Sequence, residues 1–219
     1  MSELRAVLWD MDGTLIASEP SWILAQRTLV EQHGGTWSDG DGFALIGSDM
    51  ETTAAAISAK GVPGSAEDIS RVLTERVADA LRGEIRWRPG AVALVRALRD
   101  AGVPQAIVTT SPMNIVEIVV AALPAGAISV LVTEESVERG KPDPQPYLLA
   151  AQRLGVKIHH CVAIEDSPTG LQAAVRSGAA VLAVPCDVPI ELNRSWARVD
   201  TLEGLTVTDL ADLPLQSEQ

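Results

Sequence analysis

From about residue 86 to residue 184 the chain repeats one pattern: a short apolar run, a polar break, then an amphipathic stretch. The apolar runs are residues 106–108, 128–132, 161–164 and 180–184, and they are rich in Val, Ile and Ala. Runs of that length and composition read as strands covered on both faces. Strands that alternate with helices read as βαβ units around a parallel sheet. The helix signals fall where this reading needs them. Pro89-Gly90 opens a stretch in which Ala91, Val95 and Leu98 keep helical spacing, and Gly102 closes it. Val116, Val119 and Val120 mark another helix. Ser167 and Pro168 read as an N-cap and a first-turn proline, followed by a stripe of Leu171, Ala174 and Val175 that ends at Gly178. Residues 6–9 have the composition of one more strand of the same sheet.

Between residues 17 and 85 no strand pattern occurs. Helices are expected over 19–33, 49–60 and 66–82, broken by His33-Gly34-Gly35 and by Gly61-Val62-Pro63-Gly64. The simplest organisation is an α/β core of residues 1–16 and 87–219 with a helical block, 17–86, inserted after the first strand. The tail beyond residue 187 is expected to add a short strand and a short helix. A chain of 219 residues is long enough for this arrangement. Only 3 % of residues are aromatic, so Ala, Val, Leu and Ile must fill the core.

Composition also bounds the partners. The net charge of −12 argues against binding nucleic acid or an anionic membrane surface. An anionic ligand would need positive charge concentrated at its site, from a cation, a lysine or backbone N–H groups. Cys161 and Cys186 form no CxxC pair and no Cys/His cluster, which points to two thiols in a reducing compartment. The first apolar run meets Asp10 almost at once, so no signal peptide or membrane span is expected, and a cytoplasmic protein is.

Four stretches carry chemistry, and each lies just beyond an apolar run: Asp10-Met11-Asp12-Gly13-Thr14, Thr109-Thr110-Ser111, Lys141-Pro142-Asp143 and Glu165-Asp166-Ser167. Ligands of open α/β sheets bind outside the carboxyl ends of the strands, so the topology delivers all four to one edge. In an extended segment residues two apart point the same way, which would turn Asp10 and Asp12 toward one pocket. Two carboxylates that close repel, and a divalent cation is the usual remedy. Taken singly, each stretch has a plain reading. Asp-x-Asp-Gly is also an acidic turn, Glu165-Asp166 can favour a helix N-terminus, Thr109 suits any strand, and Lys141 suits any surface. The conjunction in this order is what carries weight.

WDMDGTL, VTTS, GKPDP and IEDS together resemble the four motifs of the haloacid dehalogenase-like (HAD) hydrolase superfamily, over nearly the whole span from Ala6 to Val184. The resemblance implies a Rossmann-like parallel core of strand order 5-4-1-2-3 with the helical block as a small cap. By position it makes Asp10 the nucleophile that forms an aspartyl-phosphate, and Asp12 the general acid and base. It implies Mg²⁺ held by Asp10, the Asp12 backbone carbonyl and Asp166, with Glu165 as a direct or indirect helper. Thr109, Lys141 and the N–H groups of Met11, Asp12 and Thr110 would hold the phosphoryl group.

Within the superfamily, Asp12 favours phosphoryl transfer over the dehalogenase branch, which resembles this pattern but lacks the second aspartate. The phosphonatase branch uses a cap lysine, and Lys60, beside Gly61, reads as a solvated helix end. The β-phosphoglucomutase branch carries a histidine where Trp22 stands, and its cap-loop bases are missing from Ile46-Gly47-Ser48-Asp49-Met50. Ala17 stands where members often have aspartate. A phosphatase of the small-cap type, phosphoglycolate phosphatase-like in pattern, is therefore expected. A phosphosugar mutase or a non-catalytic binding protein of the same fold are the alternatives. Trp22, Ser48 and Asp49 are candidates for substrate choice, and the substrate is expected to be a small phosphorylated metabolite. A monomer is expected, with a dimer as the alternative.

Overall fold

The computed structural model describes residues 4–213. The chain divides into two compact units, Met1–Ala17 with Arg86–Gln219, and Ser18–Ile85.

The first unit is a parallel sheet with helices on its faces. Its strands are β1 (Ala6–Trp9), β2 (Gln105–Val108), β3 (Val130–Val132), β4 (Cys161–Glu165), β5 (Ala180–Ala183) and β6 (Ala197–Arg198). They lie in the order β3-β2-β1-β4-β5-β6, every neighbouring pair parallel. The first five follow the order 5-4-1-2-3 read from the other edge. The two-residue β6 extends the sheet beyond β5. Strand β1 is central, with Val7 opposite both Gln105 and Val162. All residues of β1, β2, β4 and β5 are buried, as expected of strands covered on both sides. The aliphatic core includes Leu8, Ala106, Val108, Ala163, Leu171 and Val181. One polar pair sits inside it. Trp9 Nε1 donates to Gln105 Oε1 at 2.9 Å, and Gln105 Nε2 donates to the Val95 carbonyl at 3.0 Å, so both side chains are satisfied without water.

The second unit is helical: α1 (Glu19–Gln32), α2 (Asp39–Phe43), α3 (Met50–Ala59) and α4 (Ala66–Gly83). Side chains close the starts of α2, α3 and α4. Ser38 with Asp41, and Ser65 with Asp68, form reciprocal capping boxes, while the Asp49 carboxylate accepts from Thr52 N at 2.7 Å. Its interior is built from Leu29 and Val30, Ala54 and Ile57, and Leu73, Val77 and Leu81.

The remaining helices belong to the sheet unit: α5 (Ala91–Asp100), α6 (Met113–Ala122), α7 (Gln145–Leu154), α8 (Pro168–Ser177) and α9 (Val207–Ala211). Ser167 caps α8 through its hydroxyl, which accepts from Gly170 N at 3.1 Å, and Gly178 ends it in the left-handed conformation. The sequence reading had no counterpart for α2 or α7.

Candidate active site

The strand ends bring the four motif loops together. Asp10 N donates to the Ile164 carbonyl at 3.0 Å, continuing the pairing of β1 with β4 one residue past Trp9. The chain then turns sharply. Leu15 N and Ile16 N both donate to the Met11 carbonyl, and Gly13 N donates to the Ile16 carbonyl at 2.7 Å. Gly13 takes φ +82°, and a β-carbon there would lie 2.0 Å from Asp166 Oδ2, so glycine is required twice over. Asp10 is thus placed by the end of the strand pairing, while Asp12 lies in the turn, beyond the reach of strand alternation.

Lys141 crosses to meet Asp10. Its ammonium donates to Asp10 Oδ1 at 2.6 Å, to Glu165 Oε1 at 2.6 Å and to the Val108 carbonyl at 2.9 Å. Three donors therefore meet three acceptors, and the side chain is only 5 % exposed. The surface reading of Lys141 does not hold. Lys60, by contrast, pairs with Asp41 at 2.8 Å and lies over the Trp37 ring at the surface of the helical unit.

Glu165 is fully buried and surrounded by donors. Oε1 accepts from Lys141 and from the Tyr147 hydroxyl at 2.7 Å. Oε2 accepts from Asp166 N at 3.2 Å, Ser167 N at 3.3 Å and Ser167 Oγ at 3.2 Å. Five donors saturate its lone pairs. Asp166 is held more lightly, with Oδ1 accepting from the buried Thr14 hydroxyl at 3.2 Å. Asp12 belongs to a separate pair of contacts. Its Oδ2 accepts from Ser111 Oγ at 2.6 Å and from Thr109 Oγ1 at 3.3 Å, while Ser111 N donates back to Thr109 Oγ1 at 3.0 Å.

The charges do not balance. Asp10, Glu165 and Asp166 each offer a carboxylate oxygen, and these oxygens lie within 4.8 Å of one another around a single ammonium. Asp10 Oδ2 is buried with no hydrogen-bond partner. Burial, and then the charge of Glu165, push the Asp10 carboxyl up to about 7 despite Lys141. Burial, then Asp10 and Glu165, push Asp166 up to about 9. Burial alone would lower Lys141, but Asp10 and Glu165 raise it, so the lysine stays charged. Oxygen donors with excess negative charge and one unpartnered buried oxygen fit a hard divalent cation.

Sequence reasoning singled out Asp10, Asp12, Thr109, Lys141, Glu165 and Asp166; the structure clusters Asp10, Lys141, Glu165 and Asp166, and joins Asp12 to Thr109 in a second set of hydrogen bonds. Met11 is wholly buried and lends its carbonyl to the turn, and Thr110 lies in the same loop as Thr109. Trp22, Ser48 and Asp49 lie in the helical unit, where the Asp49 carboxylate caps α3. Thr14, Ser111 and Tyr147 were missed. Thr14 and Ser111 sit inside quoted motifs. Tyr147, the chain's single tyrosine, lies on α7, whose limits are marked by Pro146 in the first turn and Gly155 after the last.

A parallel sheet with acidic turns at its strand ends and a lysine clamped between two of the carboxylates defines a hydrolase of the haloacid dehalogenase type. The family model of the haloacid dehalogenase-like hydrolases matches residues 4–178, and the chain belongs to this family. It is 35 % identical over 210 residues to hexitol phosphatase A of Escherichia coli K12, covering 93 % of this chain and 94 % of that one. It is 30 % identical over 226 residues to the protein CbbY of Rhodobacter capsulatus, covering 97 % and 100 %. The crystal structure of CbbY from Rhodobacter sphaeroides in complex with xylulose-(1,5)bisphosphate superposes with a TM-score of 0.85 at 27 % identity, over 94 % of this chain and 99 % of that one. No helix among the described residues is long and apolar enough to cross a membrane.

Proposed function

We propose that this phosphoric monoester hydrolase releases phosphate from a small phosphorylated polyol or sugar, with Mg²⁺, through an aspartyl-phosphate on Asp10. The single observation that carries the reading is the state of Asp10: buried, one oxygen held by Lys141, the other without a partner. Such a carboxylate is desolvated and fixed in direction, as a nucleophile must be. One oxygen of Asp10 attacks phosphorus while the ester P–O bond breaks, and Asp12 in its acid form gives its proton to the leaving oxygen. Asp12, now a carboxylate, takes a proton from water, which attacks the same phosphorus and frees Asp10. Ser111 and Thr109 keep the Asp12 carboxylate aimed across both steps.

Asp10, Asp166 and the Asp12 backbone carbonyl would hold the cation, which supplies charge neutralisation at the phosphoryl oxygens. Glu165 is taken up by its five donors and serves Lys141 instead. The N–H groups of Met11, Asp12 and Thr110 bind the phosphoryl oxygens, Thr109 can turn its hydroxyl from Asp12 toward them, and the Lys141 charge offsets theirs from its place against Asp10. We assign residues 17–86 the part of a cap, with substrate choice resting on Trp22 and Ser48. Hexitol phosphatase A and the CbbY complex with a ketopentose bisphosphate favour carbohydrate-derived phosphates as the class to screen.

The test is Mg²⁺-dependent release of phosphate from an aryl phosphate, then from a panel of hexitol, aldose and ketose phosphates. Wild type is expected to turn over and Asp10→Asn to be inactive. Near-normal turnover by Asp10→Asn, or none by wild type with any divalent metal, rejects the reading.

A further inference from the structure

Tyr147 is a buried titratable group beside the acidic cluster to which the reaction scheme gives no task. It is 0 % exposed, and its ring lies 5.3 Å from Lys141 Nζ. Its hydroxyl donates at 2.7 Å to Glu165 Oε1, the same oxygen that accepts from Lys141 at 2.6 Å. A buried hydroxyl needs some partner, and a backbone carbonyl would serve equally well. This one instead meets the carboxylate that anchors the lysine.

The consequence follows from how Lys141 is held. Its stem is flexible, so the direction of the ammonium is decided by what it touches. Two of its three acceptors, Asp10 Oδ1 and Glu165 Oε1, are carboxylates. Glu165 is fixed on its Oε2 side by Asp166 N, Ser167 N and Ser167 Oγ. On its Oε1 side, Tyr147 is the neighbour other than the lysine itself. Without that hydroxyl the carboxylate can swing about its last bond and carry the ammonium off the line to Asp10.

We propose that Tyr147 is a positioning residue for phosphoryl transfer: it locks Glu165, and Glu165 locks the Lys141 ammonium against Asp10. The role rests on the reading of Asp10 and Lys141 given above. Tyr147 acts at one remove and makes no contact with the reacting phosphorus.

The experiment is Tyr147→Phe in the full chain, which keeps the ring and removes only the hydroxyl. With metal-free protein, acylation by acetic anhydride is followed at each lysine by peptide mass spectrometry, Lys60 and Lys157 serving as internal references. Lys141 is expected to label several-fold faster in the variant, with the other two lysines unchanged. With Mg²⁺ and an aryl phosphate, kcat is expected to fall about tenfold, the order of one charge-assisted hydrogen bond, with KM within about twofold. Equal Lys141 labelling in the two proteins overturns the proposal, as does a kcat within twofold of wild type in active enzyme. A rise in labelling at all three lysines together shows general loosening and also overturns it. If wild type does not hydrolyse the ester, the phosphatase reading fails, while the labelling still decides whether Tyr147 holds Lys141.

Discussion

Gly170→Ala puts helix propensity and site geometry in direct opposition. Gly170 is the third residue of α8, and alanine in a helix is favoured over glycine by about 1 kcal/mol. Propensity alone therefore predicts a more stable protein. A β-carbon at Gly170, however, would lie 1.9 Å from Glu165 Oε1, 2.0 Å from Cδ and 2.1 Å from Oε2. Ordinary contact requires the carboxyl group to retreat by about 1.5 Å. A free glutamate tip would do so at little cost, but this one is tied to five donors, two of them at 2.6 and 2.7 Å. Hydrogen bonds to a charged group contribute about 1.5–3 kcal/mol each, and a shift of that size breaks at least two. Set against the propensity gain, the net loss is about 2–5 kcal/mol. Urea unfolding followed by circular dichroism measures it, with the slope m unchanged if only the native state has altered. The cause is located by repeating the substitution in a Glu165→Ala background, where the clash is gone and Gly170→Ala should become neutral or stabilising. An unchanged or raised midpoint in the otherwise wild-type protein would refute the claim that Glu165 is pinned.

Two further outcomes follow from the burial of charge and of polar groups. In metal-free protein Asp10 and Asp166 have folded-state values raised from 3.8 to about 7 and about 9, so the folded state binds more protons. Their contribution to stability is full below about pH 4 and is lost as pH rises through about 7 and then about 9. A bound cation offsets that loss, so the rise in melting temperature caused by Mg²⁺ over chelator should be larger at pH 9 than at pH 6; an equal or smaller rise at pH 9 counts against the site. Gln105→Leu strands the Trp9 indole N–H inside the core, since the Val95 carbonyl keeps its bond within α5, and should cost about 1–3 kcal/mol in urea unfolding. A loss under about 1 kcal/mol would show that the pair is dispensable.

The strands, the main helices and the four motif loops were legible because each has a local signature: apolar runs, N-cap residues, terminating glycines. Strand order was not local, and it came from the resemblance rather than from pattern. Helix α2 escaped notice because Asp-Gly-Asp-Gly-Phe has poor propensity and is held by the Ser38–Asp41 box. Lys141 could be placed near the site but not weighed, since a lysine between glycine and proline carries no sign of burial. Tyr147 was hidden for a different reason. Its partner Glu165 is far along the chain, and only the packing of α7 brings the hydroxyl to the carboxylate. The two acidic pairs look alike in sequence, yet Glu165 is saturated with donors while Asp10 keeps an oxygen unpartnered.

The central place of β1 bears on how the protein is made. Val7 pairs with Gln105 on one side and Val162 on the other, so both edges of the strand wait for chain that is translated much later. Contacts so distant in sequence form slowly and leave an apolar strand exposed in the meantime. The helical unit Ser18–Ile85, compact by itself, is translated in the interval. Asp10 is thus synthesised before Lys141 and Ile164, with which it pairs, and the acidic cluster is complete only after translation has passed Asp166. A nascent chain stopped short of that point carries Asp10 without the full set of carboxylates that surround it in the folded protein.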